Sequence, residues 1–106
     1  MSAWWLIVLA GLFEVGWAVG LKLSNGFTRP VATALTVFAM ADSLWLLGLA
    51  VKTLPIGIAY AVWVGIGAVG VAVAGIVLLG EPLSALRVLF MLLLVGSLVG
   101  LKLTTP

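Results

Sequence analysis

The sequence predicts an all-α integral membrane protein with four transmembrane helices per subunit, and three observations carry that prediction. Hydrophobic residues make up 65% of the 106, and mean hydropathy is +1.42. Charged residues are only 8%, where a soluble domain carries about a quarter. The apolar residues fall into four runs, each close to the roughly 20 residues a helix needs to cross the hydrocarbon core. The eight charges are Glu14, Lys22, Arg29, Asp42, Lys52, Glu81, Arg87 and Lys102. So few cannot wet a surface, which excludes a soluble enzyme or binding module.

The first run covers residues 2–22 and is interrupted only by Glu14. It lacks a basic leader and a clear small-residue cleavage site, so it reads as a retained helix rather than a signal peptide. The second, residues 30–51, contains Asp42. The third, residues 55–79, carries no charge. The fourth, residues 84–103, has Arg87 in its first turn, where a long basic side chain reaches the headgroups. The breaks are residues 22–30 (KLSNGFTRP), 51–55 (VKTLP) and 80–84 (GEPLS), each with Asn-Gly, Pro or Gly turn chemistry. Such short links make neighbouring helices antiparallel. The whole chain, residues 1–106, reads as a single transmembrane domain.

Absences narrow the chemistry. The chain has no His and no Cys, which removes imidazole catalysis, thiols, disulfides and nearly every transition-metal site. No cofactor is implied. The pI near 9.5 rests on a net charge of +2 with no basic cluster, so nucleic acid is not an expected partner.

Orientation is weakly encoded. Lys22, Arg29 and Arg87 fall on one side of the bilayer and Lys52 and Lys102 on the other, nearly balanced under the positive-inside rule. Two readings follow: a fixed orientation set by a small bias, or insertion both ways and pairing of opposite copies as an antiparallel dimer. Four helices leave little interior for a solute, whereas eight surround a cavity. Gly96 and Gly100 form a small-xxx-small pair that suits close helix packing between copies.

Glu14 is the most informative residue. An ionisable group at mid-helix costs roughly 2.5–3.5 kcal/mol on insertion scales, and no basic residue shares its depth. Its helical neighbours are Ala10, Gly11, Trp17 and Ala18, small residues on one side and an aromatic wall on the other. A carboxylate so placed can alternate between a proton and a cation, as a proton-coupled carrier requires. The alternative is a protonated acid that only packs against a neighbouring helix. On the third run, Tyr60, Trp63 and Gly67 share one stripe, offering a hydroxyl and an aromatic face for a cation; an interfacial aromatic belt is the plainer reading. Gly65 and Gly67 are candidate bend points. Ser43 can donate to a carboxylate or to its own i−4 carbonyl. Asp42 beside it reads as a second ion-handling group or an acid facing a wet vestibule.

Taken together, residues 11–22 (GLFEVGWAVGLK), 24–29 (SNGFTR), 54–70 (LPIGIAYAVWVGIGAVG), 80–82 (GEP) and 100–103 (GLKL) resemble the small multidrug resistance family, across essentially the whole chain. Within it the sequence looks like the guanidinium exporter branch rather than the drug exporters typified by EmrE. Trp17 discriminates, standing where drug exporters carry a small residue. The resemblance implies a bacterial inner-membrane transporter, not an enzyme, assembled as an antiparallel, dual-topology homodimer with EmrE-like architecture. It implies a substrate and proton site shared by two copies of Glu14 and lined by Gly11, Trp17, Ser43, Tyr60 and Trp63. Two protons would exchange for each guanidinium or small guanidinyl cation. Ile58 and Val64 depart from the branch, where hydroxyl residues are usual, and make the third helix more like that of a drug exporter. Asp42 departs too, at a position usually apolar. The rival readings are a quaternary-ammonium drug exporter, one subunit of a paired heterodimer, and a non-transporting membrane subunit.

Overall fold

A computed structural model describes residues 2–105. Four helices run antiparallel in chain order: α1 (Ala3–Leu23), α2 (Pro30–Ala50), α3 (Ile56–Leu79) and α4 (Ala85–Thr104). Each is long and apolar enough to cross a membrane. In hydrocarbon every backbone N–H and C=O must be paired internally, which an uninterrupted helix achieves.

The helix ends follow their local chemistry. The Ser2 hydroxyl caps α1 by accepting from the Trp4 amide at 3.2 Å. Ser24, fully buried, closes the α1–α2 turn: its hydroxyl donates to the Leu21 carbonyl at 2.8 Å and accepts from the Phe27 amide at 3.2 Å. Asn25, Gly26 and Phe27 all take positive φ in that turn. Pro30 starts α2, where its missing N–H has no helical partner to lose. Gly80 ends α3 in the left-handed region at φ 68°, conformational space a side chain would resist. Ser84 then caps α4 by accepting from the Arg87 amide at 3.2 Å.

α1 is the central element, packed along both α2 and α3. The buried core is small: Ile7, Ala10, Ala50, Ala59, Val62 and Trp63. The molecule is therefore a flat slab, 44 × 35 × 19 Å. Among the described residues, the backbone of α4 approaches only α3, seated where Leu98 fills the space beside Gly65. No residue of α4 is buried. An apolar groove of about 530 Å³ lies open between α3 and α4, lined in part by Val69, Val73, Ile76, Val88, Met91 and Val95.

Candidate functional site

The α1–α3 seam positions Glu14. Small residues alternate across it: a Cβ at Gly11 would stand 2.5 Å from Ile66 Cγ2, and one at Gly70 would collide with Val15. Between those two contacts the Glu14 carboxylate rests in the space left open at Gly67. Glu14 is half-buried, and its Oε2 is shut off from solvent with no hydrogen-bond partner among the described residues. Gly65 and Gly67, candidate bend points by sequence, lie within an unbroken α3 and serve here as seats for Leu98 and Glu14.

One helical turn before Glu14, three helices are tied at a single backbone carbonyl. The Ser43 hydroxyl donates to the Ala10 carbonyl at 2.7 Å. The Trp63 indole Nε1 donates to Ser43 Oγ at 3.0 Å and reaches the same carbonyl at 3.3 Å. Ser43 is fully buried and Trp63 nearly so, so each of these groups would be costly to leave unpaired. Tyr60 meets the Trp63 ring edge-on, with centroids 5.4 Å apart and planes at 67°. Ala10 was not legible as part of this arrangement, because its contribution is a carbonyl that any residue could supply.

Trp17 lies one turn beyond Glu14 on α1, and its buried Nε1 has no partner among the described residues. The structure thus brings Gly11, Ser43 and Trp63 to the three-helix contact, with Tyr60 at its exposed edge, while Glu14 and Trp17 follow on α1 one and two turns further along. Its hydrogen bonds differ from the simplest expectation: Ser43 and Trp63 are satisfied by each other and by Ala10, not by the carboxylate. Glu14 Oε2 is left unpaired among the described residues. Gly96 and Gly100 have nothing within 4 Å of where a Cβ would stand; the chain's own α4 contact runs through Leu98. Asp42 is half-buried on α2, apart from the Ser43 knot. Among the described residues there is no cluster of three acidic side chains that could hold a metal ion.

The chain matches a family model described as Small Multidrug Resistance protein over residues 2–94. It is 54% identical over 103 residues to the guanidinium exporter of Yersinia pseudotuberculosis serotype I, an alignment spanning 97% of this chain and 99% of that one. It is 53% identical to the guanidinium exporter of Escherichia coli K12 and 52% identical to that of Citrobacter freundii, each over 97% of this chain and 98% of the relative.

Proposed function

The chain belongs to the small multidrug resistance protein family, and from that premise we propose that it exports guanidinium and small guanidinyl cations in exchange for protons. It is a multi-pass protein of the bacterial inner membrane. The observation that carries the reading is Glu14: an acid in the interior of a membrane span, seated on Gly67, with a buried oxygen that none of the described residues satisfies. The near-complete alignment with guanidinium exporters supports the choice of substrate.

The chemistry follows from shape and charge. Guanidinium, like the arginine side chain, is a planar fork that stays charged, and a carboxylate accepts two parallel N–H bonds from it. Sodium and ammonium cannot present that fork. Two copies arranged as an antiparallel homodimer bring two Glu14 carboxylates to one site. When both must lose a proton before one cation binds, two protons enter for each cation that leaves, and one net positive charge moves inward per cycle. The open groove between α3 and α4, and an α4 with no buried residue, support pairing with a second copy, since large exposed apolar surfaces mark contact with lipid or protein. Rocking of one copy against the other exchanges the open side, with equivalent end states. Trp17 and Trp63 wall the cation, Tyr60 offers a hydroxyl beside it, and Ser43 holds the Trp63 indole in place.

The test is Glu14→Gln in proteoliposomes. It abolishes guanidinium-driven proton movement while the protein still folds and inserts; coupled transport that survives the change overturns the reading. Ile58 and Val64, apolar on α3, favour a second reading, a quaternary-ammonium drug exporter. Flux of guanidinium against tetraphenylphosphonium separates the two.

A further inference from the structure

Asp42 is a second ionisable side chain at mid-span, and the exchange cycle leaves it unused. The α1–α2 seam sets its depth. A Cβ at Gly16 would stand 3.9 Å from Ala39, and Ser43 bonds Ala10. Asp42 therefore lies on α2 between the levels of Gly16 and Ala10, and Glu14 lies between the same two levels on α1. At 1.5 Å rise per residue, both acids share a slab of about 9 Å.

Among the described residues no cation shares that slab with Asp42. The five cations, Lys22, Arg29, Lys52, Arg87 and Lys102, sit near the ends of the spans. The side-chain hydrogen bonds within α2 among the described residues run from Thr36 to Ala32 and through Ser43, and none takes in Asp42. Snorkelling is out of reach: the nearer end of α2, Ala50, is eight residues away, about 12 Å along the axis, beyond a side chain with a single methylene. An acid at that depth, costing roughly 2.5–3.5 kcal/mol in lipid, belongs against a water-filled cavity or the bundle interior. It is only half-buried by its own chain.

We propose that Asp42 faces a hydrated approach to the Glu14 site, where its carboxylate draws the organic cation in and holds it briefly. The assignment rests on the export reading and deepens it by adding a residue that governs capture. Its partner is the small cation itself, for which one negative charge on a low-dielectric wall raises local concentration and on-rate. Glu14 on α1 is the other acid at this level. Lys, Arg and Tyr side chains of α1 and α3 lie at other depths: Lys22 ends α1, and Tyr60 lies in the first turns of α3.

The chain has no cysteine, so Asp42→Cys introduces a single thiol. In proteoliposomes that thiol reacts with a water-soluble, cationic methanethiosulfonate, and guanidinium slows the reaction. Labelling only by a lipid-soluble maleimide, or at the same rate with and without guanidinium, overturns the assignment. Asp42→Asn lowers guanidinium flux roughly tenfold at limiting substrate and much less at saturation, and Asp42→Glu restores it. Wild-type flux in Asp42→Asn, or an equal loss at limiting and saturating guanidinium, also overturns it. Failure of the export reading is a separate result, a wild-type protein that exchanges no guanidinium for protons.

Discussion

The Glu14 carboxylate occupies the space that a side chain at Gly67 would fill, so α3 recognises the acid of α1 by lacking a side chain of its own. The contact does two things at once. It lets α1 and α3 approach closely at the depth of the acid, and it leaves Oε2 buried without a donor among the described residues. A backbone seat orients the carboxylate without neutralising it. A lysine or arginine at the same place would hold the acid more firmly and remove the ligand exchange that the export reading requires of it.

Gly67→Ala tests that seat. The added methyl collides with the end of a flexible side chain rather than with backbone, so the carboxylate swings aside at small cost. Alanine also favours the helix by roughly 0.5–1 kcal/mol. Stability in detergent therefore stays within about 1 kcal/mol of the parent, whereas coupled guanidinium flux falls roughly 10- to 100-fold, the usual consequence of misplacing a reacting group by an ångström. Flux at the parental rate in a folded variant would show that the position of the acid does not matter.

Ser43 and Trp63 act as one unit. Ser43→Ala removes both the donor to Ala10 and the acceptor for the indole, while Trp63→Phe removes only the indole donor. Interhelical hydrogen bonds in membrane proteins average about 0.6 kcal/mol and reach about 1.7 kcal/mol. These side chains are deeply buried, so each substitution falls toward the upper end of that range. Their effects are non-additive, because the 3.0 Å bond joins the two sites. Unfolding of the two single variants and the double variant measures the coupling; strictly additive losses would mean that Ala10 alone holds each residue.

Much of this arrangement is legible in the residues, and the part that is not has a physical reason. The four helices lie in four apolar runs because length and hydropathy alone decide what can cross a bilayer. Glu14 and Asp42 stand out because charge at mid-span is expensive. Gly67 reads from sequence as a bend point, since a helical glycine can serve either flexibility or close approach, and only the neighbouring helix decides which. Ser43 offers its hydroxyl equally to its own helix or to another, and the choice of Ala10 depends on how α1 and α2 cross. The exposed surface of α4 is largely apolar, so its pattern does not say which stripe meets α3. Leu98 does so because Gly65 leaves room for it.

Trp17 separates the guanidinium reading from the drug-exporter reading. It stands one turn from Glu14 on the same face of α1, and its buried Nε1 has no acceptor among the described residues. In the export reading the residue contributes a wall and an unspent donor, and two substitutions tell them apart. Trp17→Gly removes both and opens room beside the carboxylate, so transport of tetraphenylphosphonium rises relative to guanidinium, with a shift of roughly tenfold or more for about 1.4 kcal/mol of relieved steric exclusion. Trp17→Phe keeps an aromatic wall and loses the N–H, so bulky cations stay excluded and guanidinium flux falls only severalfold, as expected for one hydrogen bond of about 1 kcal/mol. Competition between the two cations in proteoliposomes reads both outcomes. If Trp17→Gly excludes tetraphenylphosphonium as strictly as the parent, the indole is not the selectivity wall, and the apolar Ile58 and Val64 on α3 become the residues to exchange for threonine.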